Sequence, residues 1–232
     1  MKNILFIGGS KGIGLASVKK LHAENTIFVA SRSDENISEL KNVTHIPFDL
    51  NTQDLDIEKL PEVLDGFVYC LGSINLKPFK SLKKENFQVD LNINFLGMIK
   101  ILQQILPKLL NSKQASIVLF SSVAAKNGMP FHTSIAASKS AIEGFAKAFA
   151  AEYAPKIRVN VIAPSLTATP LSEKLLNSDL KKEKSAERHP MKRIGQPEDI
   201  ASMVNFLLHE ESSWITGQIL SVDGGISTLN IN

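Results

Sequence analysis

The opening residues constrain this chain more than any other stretch. A run of strand-forming type, Asn3-Ile-Leu-Phe-Ile7, passes into Gly8-Gly9-Ser10-Lys11-Gly12-Ile13-Gly14, and a segment of helical period, Leu15 to Leu21, follows at once. Glycine lets a backbone turn tightly and approach a ligand with no Cβ in the way. A helix that starts there offers free N–H groups and the positive end of its dipole. Strand, glycine loop and helix in that order predict a site for a pyrophosphate.

The rest of the chain repeats the alternation. Short β-branched runs near 3–7, 26–30, 43–47, 66–70, 115–121, 157–162 and 218–222 are separated by segments of helical period, the longest near 82–111 and 134–153. The strands show little polar alternation, so both of their faces are expected to be covered, and right-handed crossovers then give a doubly wound parallel sheet. The expectation is α/β: one Rossmann-type domain over residues 1–232, with about seven parallel strands and helices on both faces. The only composition shift is at 171–197, a polar stretch between Pro170 and Pro197 that reads as a solvated helix pair above the sheet.

Bulk properties exclude several functions. A chain of 232 residues with 44% hydrophobic and 21% charged residues can bury a full core without staples. The single cysteine, Cys70, rules out an internal disulfide and a multi-cysteine metal site, and no metal is expected. A net charge of +3, spread along the chain, gives nucleic-acid binding little electrostatic support. No apolar run approaches the length of a membrane span, and Ile4 to Ile7 is too short for a signal-peptide core, so a cytoplasmic protein is expected.

The second strand tells which dinucleotide to expect. It ends in Ser31-Arg32-Ser33, where a site for NAD usually places an acid on the ribose 2′-hydroxyl. Arg32 and Lys11 instead suit a 2′-phosphate, which favours NADP(H) over NAD(H). Asp49 either accepts from the adenine amino group or caps the turn Asp49-Leu-Asn-Thr52.

With these motifs the chain resembles the short-chain dehydrogenase/reductase family along essentially its whole length. Gly8-x-x-x-Gly12-x-Gly14 matches the glycine motif, Asn94 in Asn92-Ile-Asn94-Phe-Leu-Gly97 the structural and catalytic asparagine, Ser122 in Phe120-Ser-Ser-Val123 the catalytic serine, and Lys139 the catalytic lysine. Arg158-Val-Asn-Val-Ile-Ala-Pro164, Ile215-Thr-Gly-Gln218 and Val222-Asp-Gly-Gly225 look like the 3-oxoacyl carrier-protein reductase branch. The resemblance implies a cofactor held by Gly8, Ser10, Lys11, Gly12, Ile13, Gly14, Ser31, Arg32, Asp49, Leu50, Leu71, Gly72, Lys139 and Pro164, with Thr167 and Thr169 over the nicotinamide carboxamide or serving as ordinary turn threonines. It further implies a small-molecule substrate, a lid at 171–197 that closes over it, and a homodimer or homotetramer built through the two long helices.

One departure bears on chemistry. The family's proton donor is a tyrosine four residues before the lysine, and here that position is Ile135. Ile7, Tyr69-Cys70-Leu71-Gly72 and Ser165 also depart from the pattern, and neither Tyr69 nor Tyr153 has the family spacing. In the somewhat similar enoyl reductase branch the tyrosine lies seven residues before the lysine, a place that His132 fills in this chain. Seven residues is nearly two helical turns, so His132 returns to the face of Lys139 if the helix reaches back that far. Its imidazole is then the leading replacement acid, with Ser122 donating a hydrogen bond and Lys139 supplying positive charge. Ser134, Thr133 and Lys139 itself are weaker candidates, and His189 is a remote one, reaching the site only if the lid closes. Two functions follow: an NADP(H)-dependent reductase of a carbonyl or activated double bond with an atypical donor, or a non-catalytic NADP(H)-binding sensor or assembly protein.

Overall fold

A computed structural model describes residues 1–230. In chain order the main elements are β1 (Asn3–Ile7), α1 (Gly12–Leu21), β2 (Thr26–Ser31), β3 (Val43–Pro47), β4 (Gly66–Tyr69), α2 (Lys84–Leu91), α3 (Gly97–Leu110), β5 (Ala115–Phe120), α4 (Val123–Lys126), α5 (Thr133–Tyr153), β6 (Ile157–Pro164), α6 (Asp179–Glu187), α7 (Pro197–Leu208) and β7 (Ile219–Val222). The seven strands form one sheet in the order β3-β2-β1-β4-β5-β6-β7, and every pairing is parallel. The chain moves outward from β1 through β2 to β3, then returns to lay β4 on the other side of β1. That reversal is a topological switch point, and it opens a crevice at the carboxyl ends of β1 and β4.

The apolar runs explain the layers. Successive side chains of a strand point to opposite faces, and β1 feeds both cores. Leu5 and Ile7 join Met98, Ile101 and Ile105 of α3 and Ile142 and Ala146 of α5. Ile4 and Phe6 join Val18 and Leu21 of α1 and Ile200, Val204 and Leu207 of α7. All six residues of β5 are buried, as a strand covered on both faces requires.

Two helical expectations need correction. The segment expected as one helix near 82–111 is broken by a π-helical stretch at Asn92–Leu96, where the Asn94 side-chain amide donates to the carbonyl of Asp90, 2.8 Å away. An extra residue in a helical turn re-aims side chains and is common at functional sites. The solvated helix pair expected at 171–197 is a 3₁₀ turn, Pro170–Leu175, followed by the single helix α6. No residue of α6 is buried, so it lies on the surface as the composition required. Among the described residues no helix is long and apolar enough to cross a membrane, and no group of three or more His, Cys, Asp or Glu is placed to hold a metal ion.

Candidate active site

The glycine loop leaves β1 at the switch point. Gly8 has φ +86°, a left-handed conformation that favours glycine, and a Cβ there would also strike Leu71 Cδ2 at 2.8 Å. Gly14 is needed for closeness instead: a Cβ would stand 2.3 Å from the Gly8 carbonyl oxygen. The loop therefore folds onto the first turn of α1. Lys11, the N-cap of α1, makes no side-chain capping bond, so no side chain closes that end of the helix from the cap position.

Around the loop the expected cofactor residues take up distinct positions. Ser10 is buried, and its carbonyl accepts from Asn36 Nδ2 at 3.1 Å. Lys11 and Arg32 are exposed at the ends of the two adjoining segments. Ser31 Oγ turns back to the carbonyl of Ser33 at 2.9 Å. Asp49 takes the turn-capping role, accepting from the backbone N–H of Asn51 at 2.9 Å through Oδ1. Leu50 packs over the start of α3, where a Cβ on Gly97 would lie 2.5 Å from its Cδ2. Thr169 lies against Gly12, 3.4 Å from the place a Cβ would occupy, and so brings the 3₁₀ turn Pro170–Leu175 up to the glycine loop.

A cavity of about 610 Å³ opens beside this loop. Its lining includes Ile13, Leu71, Gly72, Ser122, His132, Ile135, Lys139, Pro164, Thr167 and Thr169, so it gathers most of the residues expected for catalysis and for the nicotinamide end of a cofactor. Ser122 caps α4: its Oγ accepts from the Ala124 N–H at 3.2 Å, which leaves its own O–H free to donate. Lys139 is buried on α5 and its Nζ donates to the Phe120 carbonyl at 2.9 Å. Burial pulls its pKa down to about 8, opposed by the charges of Cys70 and Asp90. The Cys70 thiol is in turn pushed up to about 12 by burial, with Lys139 acting against the shift.

Asn94 reaches the same wall. A Cβ on Gly72 would stand 3.4 Å from Asn94 Oδ1 and 3.8 Å from Lys139 Nζ, ordinary contact distances, so the amide and the ammonium flank this backbone. Ile135, one helical turn before Lys139, is 5% exposed and forms an apolar part of the wall. His132 is the N-cap of α5 rather than part of the helix, and its Nδ1 donates to the Pro130 carbonyl at 2.7 Å. It nevertheless lines the cavity.

Two clusters escaped the sequence reading. Asp90 is fully buried, and its carboxylate accepts from Ser73 Oγ (2.5 Å), Asn75 Nδ2 (2.7 Å) and Ser134 Oγ (2.5 Å), while Asn94 Nδ2 donates to Ser73 Oγ at 2.8 Å. Its place four residues before Asn94, on the same helical face, was the available signal. The second cluster is Ser165 and His189, which line the cavity with Ser165 Oγ 2.8 Å from His189 Nε2. The sequence marks Ser165 as a departure and His189 as a remote donor, but not that the two pair.

A dinucleotide loop at the switch point of a parallel sheet, beside a cavity holding a buried lysine and a free serine hydroxyl, defines a Rossmann-type oxidoreductase. The family described as Enoyl-(Acyl carrier protein) reductase matches residues 8–227. The chain is 32% identical to 3-oxoacyl-(acyl-carrier-protein) reductase FabG of Thermotoga maritima over 243 residues, covering 97% of each protein. Its structure is similar to ligand-free aldohexose dehydrogenase from Thermoplasma acidophilum (TM-score 0.89, 28% identity, covering 100% of this chain and 97% of that one). It is also similar to ElxO with NADP bound (TM-score 0.88, 26% identity, covering 98% and 99%). The chain belongs to the short-chain dehydrogenase/reductase family of oxidoreductases.

Proposed function

We propose that this protein is a cytoplasmic, NADP(H)-dependent oxidoreductase that acts on a carbonyl/hydroxyl pair or an activated double bond of a small molecule, with a proton donor other than the usual tyrosine. One observation carries the reading: a single cavity brings Ile13 of the glycine loop together with Ser122 and Lys139. The residues fit the cofactor. The cradle at Gly8 and Gly14 excludes any Cβ, and no acid stands at 31–33. Lys11 and Arg32 would take a 2′-phosphate by charge-assisted hydrogen bonds, a choice supported by ElxO, whose structure holds NADP.

The bound nicotinamide supplies hydride chemistry, and the chain supplies the rest. Ser122 donates to the substrate oxygen, where negative charge develops. Lys139, with a pKa near 8, is largely an ammonium at neutral pH and keeps that end of the cavity positive. Ile135 carries no proton, so donation falls to another group in the lining, and His132 is one such group. The row of rings Phe95, Phe145, Phe149 and Tyr153, with successive centroids 6.0, 5.2 and 4.4 Å apart, offers a second copy of the chain a surface on which a homodimer or homotetramer is built.

Fluorescence titration with NADPH and NADH tests the cofactor, and a panel of aldehydes, ketones and enoyl thioesters tests turnover. Arg32→Ser is expected to weaken NADPH binding by about 10- to 100-fold, the value of one charged hydrogen bond, and to leave NADH unchanged. Tighter binding of NADH than NADPH by the wild type would overturn the assignment.

A further inference from the structure

Ser165 follows Pro164 at the carboxyl end of β6, beside the end of β5 from which the chain runs on to Ser122, so two serines from adjacent strands line one cavity. Ser165 differs from Ser122 in its partner. Its Oγ lies 2.8 Å from Nε2 of His189, and His189 Nδ1 lies 2.7 Å from the carbonyl oxygen of Ser185. A carbonyl only accepts, so Nδ1 carries the hydrogen, and in the neutral ring Nε2 is an acceptor for the Ser165 O–H. The imidazole is thus held at both nitrogens, in one tautomer, with 4% of its surface exposed.

His189 also touches a second space. A smaller cavity of about 110 Å³ is lined by Ser165, Thr167, His189, Arg193, Asp199 and Asp223, among others. That is room for several waters, which need about 10–15 Å³ each by this measure, and these side chains offer them partners within a lining that is otherwise largely apolar. Ser165 and His189 therefore border both a water-sized compartment and the larger cavity.

We infer that Ser165 is the catalytic proton donor of this site and that His189 is the positioning residue that reloads it. The inference rests on the oxidoreductase reading above. A proton arriving from the smaller cavity binds Nε2 and makes an imidazolium. Nε2–H then donates to Ser165 Oγ, and the serine O–H turns toward the substrate oxygen. A bound reduced nicotinamide would supply hydride to the carbonyl carbon, and the substrate oxygen, as its C=O π pair becomes a lone pair, would take the Ser165 proton. Ser165 Oγ takes the proton from Nε2, and His189 returns to the neutral ring. One hydride and one proton have been added, and the serine is regenerated. The groups facing His189 are Arg188 beside it in the chain, Asp223 and the Arg193–Asp199 pair around the smaller cavity, and Lys139 around the larger. Asp199 is paired with Arg193, whereas the Asp223 carboxylate accepts only from the backbone N–H of Gly225 and Ser227 and so keeps its negative charge beside the smaller cavity, where it favours the transient imidazolium.

The protein is tested as Ser165→Ala, His189→Asn, the double variant and His132→Ala. With NADPH and the best carbonyl substrate of the panel, kcat is expected to fall at least about 100-fold in each of the first two, with KM within a few-fold, and no further in the double variant. His132→Ala tests the alternative donor named above. A merely structural pair would give a small or additive loss, and that result, or loss confined to His132→Ala, overturns the inference. Imidazole ¹⁵N spectra of the protein without cofactor give an independent reading. Neutral His189 should show hydrogen on Nδ1, with an Nε2 resonance that moves in Ser165→Ala, and hydrogen on Nε2 instead would overturn the pair. A wild type that binds NADPH but turns over no substrate would defeat the oxidoreductase reading itself, whereas an active wild type with an equally active Ser165→Ala defeats only the relay.

Discussion

Replacing Lys139 by methionine in a Cys70→Ala background isolates the cost of holding an ammonium in the cavity wall. The lysine is 8% exposed, and burial pulls its pKa from 10.5 to about 8. Below pH 8 the folded and unfolded chains both hold the proton, and the penalty is present in full. Between pH 8 and 10.5 the unfolded chain binds a proton that the folded chain has released, so unfolding free energy rises with pH across that window. The gap of 10.5 − 8 = 2.5 units amounts to about 3 kcal/mol. Cys70 works in the opposite direction, because burial raises its thiol from 9.0 to about 12 and the unfolded chain ionises first; the alanine background removes that effect. Urea unfolding of this background with and without Lys139→Met, from pH 7 to 11, gives the difference directly, since Tyr69 and the surface groups titrate alike in both. Because Cys70 raises the lysine pKa and is absent from this background, the lysine form should gain at least about 3 kcal/mol relative to Lys139→Met across this range. Parallel curves would mean that the ammonium is hydrated in the folded protein, and the picture of a dry, positively charged wall would fail.

Gly14→Ala puts a Cβ 2.3 Å from the Gly8 carbonyl, a contact that only a shift of the backbone relieves. It should cost about 1–3 kcal/mol of stability and abolish NADPH binding, read by denaturation and fluorescence titration; unchanged binding would show that the loop is not the cradle. Phe149→Asp places a charge between the rings of Phe145 and Tyr153 and should shift the protein to a smaller species in analytical ultracentrifugation. An unchanged sedimentation coefficient would remove this face from the interface.

What was legible in the sequence follows from which forces leave a local trace. The strands were legible because burial on both faces demands continuous apolar runs, and 115–121 and 157–162 match β5 and β6 to within two residues at each end. The break at Asn92–Leu96 leaves no trace in the apolar pattern, because a π turn inserts one residue without interrupting it; only Asn94, readable as an amide bonding backbone at a helix kink, marks the place, and its side chain does donate to the Asp90 carbonyl. At 171–197 a polar composition correctly placed the segment on the surface, but with no apolar face there is no period to locate a second helix. Ser122 and Lys139 could be found by motif spacing. Asp90 could not, because a carboxylate within an amphipathic pattern reads as solvent-facing, and its donors Ser73 and Ser134 lie 17 and 44 residues away.

The charges around the cavity bear on what kind of acid it can use. Its lining contains Lys139 and Arg188 but neither Asp nor Glu, and Ile135 adds apolar surface where a donor would otherwise stand. The negative charge that faces Lys139 comes from Asp90, which does not line the cavity and is occupied by hydroxyl and amide donors from Ser73, Asn75 and Ser134. An uncompensated positive field stabilises a developing oxyanion, and it also disfavours a donor that must carry a lasting positive charge in the same space. Ser165 and His189 border both the cavity and the smaller compartment, so a proton taken up by the imidazole from that compartment can be delivered to the substrate through an uncharged hydroxyl.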